Sequence, residues 1–390
     1  MSVPMCEPDI TDVEREAVAD VLRTPVLALG PRLEAFERAL ARFAGLRHAV
    51  GVNSGTSGLH LCMIAAGVEE GDVVVTTPFS FVASANCVLY QRARPDFVDI
   101  EPASLGIDPE ALADRVETLV RGGARVKAIL PVHVFGQPCD MDPILEVAQR
   151  FGLAVLEDAC EAIGAAYRGK PVGTLGHAGV FAFYPNKQMT TGEGGAIVTN
   201  ETAWATLFQS LRNQGRDVFD GWLEHSRLGF NYRLDEMSAA LGLAQLGRID
   251  ELLAGRERVA RWYDERLSGL DGVELPSPAP WTTRMSWFVY VIRLEDGARR
   301  DRVIRDLAAR GIASRPYFPP IHLQPVYRER FGHRRGDFPR AEEAGERCLA
   351  LPFFGRMRES QVDEVCEALR EVLAGAAGTR FGESSLPASA

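Results

Sequence analysis

Residues 181–195 read FAFYPNKQMTTGEGG. Three aromatic residues lead to one lysine, Lys187, and then to a turn holding Gly192, Gly194 and Gly195. The chain all but avoids lysine. Of its 43 basic residues only Lys127, Lys170 and Lys187 are lysine; the others are arginine. Arginine stays charged, whereas a lysine withdrawn from water can lose its proton and become a nucleophilic amine. Any imine to a carbonyl compound must use one of these three. A lone lysine is as readily an ordinary surface residue. The aromatic residues before Lys187 and the glycine turn after it, which needs positive φ angles and leads into the apolar run AIVT, set it apart. Lys170 closes a G-x-x-x-x-G-K pattern that opens at Gly164. Pro171 follows and no helix does, so a solvated hairpin turn is expected there rather than a phosphate loop. Lys127 reads as a strand-edge residue.

Outward from this stretch, short apolar runs alternate with helical patterns. HAVGV, DVVVTT, PDFVDI, VKAILPVHVF, LAVLED, AGVFAFY and GGAIVTN read as strands. GLHLCMIAAG, SFVASANCVLYQRA and MDPILEVAQRFG read as helices. Thr11 and Glu14 fit a capping box at the start of a first helix. A second opens at Pro31, with Leu33, Phe36, Leu40 and Phe43 on one face. Such alternation predicts an α/β fold with a largely parallel sheet covered on both faces. Ligands of such sheets bind beyond the carboxyl ends of the strands. After about residue 245 the texture changes. One long helix, 236–267, leads to the proline-rich residues 276–280. Then come a strand, SWFVYVIRL, a helix, an aromatic loop, RPYFPPIHLQPVY, and a terminal helix. The expected organisation is a large domain over 1–245, a smaller α/β domain over 246–376, and a disordered tail over 377–390.

Bulk properties narrow the function. A net charge of -10 argues against a nucleic-acid surface. No run of 18 apolar residues is present and the N-terminus lacks an apolar signal segment, so no membrane span is expected. The seven cysteines are scattered and form no C-x-x-C, which predicts reduced thiols in a cytoplasmic protein. The histidines show no metal-binding spacing, so no metal is expected.

Four further features carry chemistry, each with a plainer alternative. Asp158 ends the strand LAVLE at the predicted ligand crevice. A carboxylate there could bind a protonated pyridine nitrogen; a helix cap is the alternative. Ser54, Gly55 and Thr56 lie in NSGTSG, between a strand and a helix. The helix N-terminus there could cradle a phosphate, or be a plain turn. No G-x-G-x-x-G is present. Phe81 follows VVVTTPFS and could stack on a flat ring or pack in the core. Amine, carboxylate, phosphate cup and stacking aromatic together describe the binding of pyridoxal 5'-phosphate (PLP).

With these motifs the chain resembles the DegT/StrS-type sugar aminotransferases, which have fold type I of the PLP enzymes. The likeness runs through SGTSGLHL, TPFSFVASAN, VHVFGQPCDMDPI, LEDACEAIGA, FAFYPNKQMTTGEGG and LGFNYRLDEMSAALGLAQL to LPFF. The resemblance implies that Lys187 forms the Schiff base and shuttles the proton, that Asp158 pairs with the ring nitrogen, and that Phe81 stacks on the ring. It implies that Gly55, Thr56 and nearby amides hold the phosphate, and that Asn231 reaches the phosphate of a neighbouring subunit, hence a homodimer with shared sites. Two positions depart from the family pattern. Ala182 stands where a serine often contacts phosphate, and Glu161 where glutamine or histidine commonly meets the cofactor's 3'-oxygen. A related branch carries histidine in place of the lysine and performs dehydration, so Lys187 favours transamination. The implied reaction moves an amino group from glutamate to a keto group of a nucleotide-linked sugar. Tyr317 and His322, in the aromatic loop, are candidates for the acceptor site. A keto-cyclitol or other free ketone as acceptor, or a non-catalytic PLP-binding regulator, are the competing readings.

Overall fold

The computed structural model describes residues 3–217 and 224–378. In chain order the elements are α1 (Asp12–Leu22), α2 (Pro31–Ala44), β1 (His48–Val52), α3 (Gly55–Ala65), β2 (Val73–Thr76), α4 (Ala83–Tyr90), β3 (Arg94–Phe97), α5 (Pro109–Arg121), β4 (Val126–Leu130), α6 (Met141–Phe151), β5 (Ala154–Asp158), β6 (Ala166–Tyr167), β7 (Lys170–Pro171), β8 (Ala178–Ala182), β9 (Gly195–Thr199), α7 (Thr202–Arg212), α8 (Glu236–Gly247) and α9 (Ile249–Leu267). There follow β10 (Val273–Glu274), β11 (Thr282–Arg284), β12 (Tyr290–Leu294), α10 (Arg300–Ala309), β13 (Arg315–Pro316), α11 (Pro325–Phe331), α12 (Pro339–Arg347), β14 (Cys348–Leu351) and α13 (Glu359–Gly378). The tail expected to be disordered lies, but for the end of α13, outside the described residues.

A seven-stranded sheet in the order β1-β9-β8-β5-β4-β2-β3 forms the frame of the molecule. Parallel pairing joins β8, β5, β4, β2 and β3, and β9 runs against both of its neighbours. The largely parallel expectation therefore holds, with β9 reversed. The alternation of side chains explains the two covered faces. Val73, Val75, Ile129, Val155 and Phe181 pack against α2, α5 and α6 on one side. Val74, Leu130, Leu156, Val180 and Ile197 pack against α3, α4 and α7 on the other. Burial on both faces leaves the strands few polar positions, which is why they read as continuous apolar runs.

The helices start where the sequence signals them. Glu14 accepts the Thr11 N–H at 2.7 Å, its half of the predicted box, and also the Thr11 hydroxyl at 2.5 Å. The reading of the sequence does not assign α5, although Pro109 sits at its start and Asp108 caps it by accepting from the Glu110 and Ala111 N–H groups. The expected single helix over 236–267 is two helices. Arg248, at φ −114° and ψ 12°, separates α8 from α9. Its guanidinium donates to Glu14 at 2.8 Å, Glu251 at 2.8 Å and Asp9 at 3.2 Å, and these acids fix the break.

The C-terminal residues build a four-stranded antiparallel sheet, β10-β12-β14-β13, covered by α9, α10 and α13 through Val259, Tyr263, Leu307, Val365 and Leu369. Val3 bridges Ile312 and joins the same core. The hairpin β6–β7 pairs Tyr167 with Lys170, which is exposed, as the sequence predicts.

Candidate active site

Strands β1, β2, β5 and β8 point their carboxyl ends the same way, and each ends in a candidate residue. Beyond β1, Ser54 caps α3 by accepting the Ser57 N–H at 3.1 Å. Gly55 is required by contact: a β-carbon there would lie 2.8 Å from both the Ala182 Cβ and the Cys160 Sγ. The amide-bearing start of α3 is thus pressed onto the ends of β5 and β8. Beyond β2 comes Phe81, which is 60% exposed. A phenylalanine bares that much ring at an energetic cost, and here the ring stands at the wall of a cavity.

Strand β5 ends at Asp158, buried and held from two sides. The Ser84 hydroxyl donates to its Oδ2 at 2.6 Å and the Cys160 N–H to its Oδ1 at 3.2 Å. Strand β8 runs into the loop that carries Lys187. That loop is closed by the Phe183 N–H on the Gly194 carbonyl (2.9 Å) and the Thr191 N–H on the Phe183 carbonyl (3.0 Å). Gly192, at φ 81°, takes the left-handed conformation that its turn demands. From behind, the buried Arg256 guanidinium donates to the carbonyls of Lys187 (2.7 Å), Asn186 (3.3 Å) and Phe288 (3.0 Å).

The Lys187 Nζ lies 3.3 Å from Glu161 Oε1 and 3.8 Å from the centre of the Phe288 ring. The Lys187 side chain is 13% exposed and that of Glu161 10%. Glu161 Oε2 accepts the Phe135 N–H at 3.0 Å. Burial raises the Glu161 carboxyl above the ordinary range, although the Lys187 charge and the Phe135 N–H oppose the rise. Burial, reinforced by Glu161, pushes the Tyr317 hydroxyl up to about 12.

These groups share one cavity of about 1060 Å³. Ser54, Gly55, Thr56, Phe81, Asp158, Glu161, Lys187 and Tyr317 all line it, although they come from positions up to 263 residues apart in the chain. Among the described lining residues Lys187 is the sole basic side chain. Two candidates stand elsewhere. Asn231 is exposed and outside the cavity of its own chain, its carbonyl accepting from Asn53 Nδ2 at 3.3 Å. His322 is 0% exposed and absent from the wall. Its neighbours Ile321 and Gln324 face the cavity, while its Nε2 is 3.0 Å from Glu342 Oε1 and its ring meets Phe338 edge-on. Sequence reasoning missed Ser84, Phe288 and Arg256. Ser84 carried one signal, its four-residue spacing from Ser80, whose hydroxyl it meets at 2.7 Å. Phe288 and Arg256 reach the lysine through the tertiary fold alone.

The description of the DegT/DnrJ/EryC1/StrS aminotransferase family matches residues 8–370. This chain belongs to that family. The aminotransferase is 42% identical over 374 residues to the GDP-perosamine synthase of Caulobacter vibrioides, a match spanning 95% of this chain and 98% of the relative. Among solved structures, S. venezuelae DesV in complex with a ketimine intermediate superimposes with a TM-score of 0.86 at 35% identity, over 95% of this chain and 98% of that one. The PLP form of Streptococcus pneumoniae Spr1654 superimposes with a TM-score of 0.87 at 26% identity, over 96% and 99% of the two chains. The aminotransferase thus has the α/β fold that its alternating pattern predicts and that the family resemblance implies.

Proposed function

We propose that this aminotransferase holds PLP in the cavity at the strand ends and moves an amino group from glutamate to a keto group of a nucleotide-linked deoxysugar. The observation that carries the reading is the convergence of Lys187, Asp158, Phe81 and the start of α3 on one cavity. The residues fit the cofactor. Asp158 would hold the ring nitrogen in its protonated form, its own position fixed by Ser84 and the Cys160 N–H. The bared Phe81 ring would cover one face. The free N–H groups at the start of α3 suit a phosphate, and the close Gly55–Ala182 contact keeps side chains out of their way. Bound there, PLP supplies an aldehyde to carry the amino group and a ring that draws electrons from the substrate C–H bond.

Lys187 acts on the reacting side. Its Nζ accepts the proton leaving the substrate carbon and returns it. The loop hydrogen bonds and Arg256 hold the Lys187 backbone still while the side chain moves. Tyr317 and the apolar wall of Phe318, Pro319 and Val326 limit water on the acceptor side. The GDP-linked product named for the Caulobacter relative supports a nucleotide-linked sugar. A homodimer is part of the proposal. Asn231 stands exposed, Leu228 three residues before it is 87% exposed, and both suit contact with a second copy whose cavity Asn231 would complete. Seven free cysteines accord with a cytoplasmic setting, and no helix among the described residues is long and apolar enough to cross a membrane.

The test is turnover. Purified protein loaded with PLP should convert to the pyridoxamine form with glutamate, and then return on adding a keto-deoxysugar nucleotide from a panel that includes keto-cyclitols. Return with cyclitols alone would move the acceptor to that class. No conversion with glutamate or other amino acids would make the protein a binder rather than a catalyst.

A further inference from the structure

Glu161 is a carboxylate at the foot of the cavity with an unusual set of neighbours. Its Oε1 faces the Lys187 Nζ at 3.3 Å, and its Oε2 has one backbone donor, the Phe135 N–H at 3.0 Å. The groups that face it are Lys187, Asp158, Cys160 and Tyr317. None of them besides Lys187 brings a positive charge. On its other side the Lys187 ammonium rests over the Phe288 ring, which can stabilise a cation but cannot take a proton. An amine must lose one proton before it can attack a carbonyl. Within the walls described, Glu161 Oε1 is the acceptor in reach.

We propose that Glu161 is a catalytic base for Lys187, receiving the proton that the ammonium must shed and keeping it within the site. The transfer balances: the Nζ–H bond breaks, an Oε1–H bond forms, and the ion pair becomes a neutral amine beside a neutral carboxylic acid. Neutralising a buried pair suits the surroundings, because burial penalises the carboxylate. The reverse transfer restores the ammonium when the amine is released. The proposal rests on Lys187 being the nucleophile of the site.

The scarcity of lysine makes the test direct. Competitive labelling of the cofactor-free protein with an amine-reactive anhydride reads Lys187 against two internal references, the exposed Lys127 and Lys170. In Glu161→Gln the proton acceptor is gone, and Lys187 labelling near neutral pH should fall several-fold relative to both references; a rise would show that Glu161 only holds the ammonium and would overturn the proposal. The second readout is the proton count on loading PLP in weakly buffered solution. The variant should release about one proton more than the wild type, because it has no internal acceptor. Equal labelling with equal proton release would overturn the proposal. If Glu161→Gln does not fold, the infrared difference spectrum of the wild type on loading decides. A new protonated-carboxyl band supports the transfer, and its absence overturns it. Failure of the wild type to take up PLP would refute the cofactor reading, while the labelling result would still judge the Glu161–Lys187 pair.

Discussion

The Ser84 hydroxyl donates to Asp158 Oδ2 at 2.6 Å, and Ser84 itself is buried. The carboxylate at the end of β5 is therefore aimed by a side chain from α4, an element that follows a different strand. A hydrogen bond to a charged group contributes about 1.5–3 kcal/mol. Ser84→Ala should leave the fold intact and lower the rate of both half-reactions by about 10- to 100-fold, since each 1.36 kcal/mol is about tenfold. Stopped-flow absorbance with glutamate, and separately with the keto acceptor, checks this. A loss confined to the acceptor half-reaction would contradict it.

The start of α3, the proposed phosphate cup, rests on the Gly55–Ala182 contact. Adding a methyl group to Gly55 forces a β-carbon to 2.8 Å from two neighbours. Overpacking of this kind costs about 1–3 kcal/mol. Gly55→Ala should lower the melting temperature and weaken PLP binding. Ala182→Ser restores a hydroxyl beside the start of α3. One net hydrogen bond is worth about 0.5–1.5 kcal/mol, so PLP should bind about 2- to 12-fold more tightly in equilibrium dialysis.

Arg256 is a buried cation whose hydrogen bonds go to backbone carbonyls. Burial lowers it to about 10. Arg256→Met leaves the carbonyls of Lys187, Asn186 and Phe288 without this donor, at about 1–3 kcal/mol for each one left unsatisfied. Thermal unfolding should show the loss. The fraction of protein that traps PLP on Lys187 should fall as well, because the loop backbone is released. Arg256→Lys should recover part of both.

His60 gives the molecule a pH dependence of stability. Buried among Tyr90, Phe230 and Tyr232, its imidazole is lowered by burial from 6.5 to about 4. Between those values the unfolded chain binds a proton that the folded chain refuses. This contribution to stability is therefore fully present above about 6.5 and is lost as the pH falls toward 4. Denaturant midpoints measured across that window should drop for the wild type and drop less for His60→Gln.

Local signals made much of this readable. The Thr11–Glu14 cap, the Pro31 start and the alternation of apolar strands follow from residues a few positions apart, and the structure keeps them. The turn after Lys187 declared itself because only glycine accepts its backbone angles cheaply. Features set by distant partners were not legible. The break at Arg248 depends on Asp9 and Glu14, more than 230 residues upstream. The reversal of β9 depends on how the 183–194 loop closes on itself. His322 looked like a cavity residue from its loop, yet one position decides which side a side chain faces, and Glu342 from α12 draws it away.

The central claim is that Lys187, of the three lysines, bonds the cofactor. Borohydride reduction of the PLP-loaded protein, followed by proteolysis and mass spectrometry, locates the linkage. The phosphopyridoxyl mass should fall on the peptide containing Lys187 at close to one per chain. Its appearance on Lys127 or Lys170, or on no lysine at all, would contradict the account.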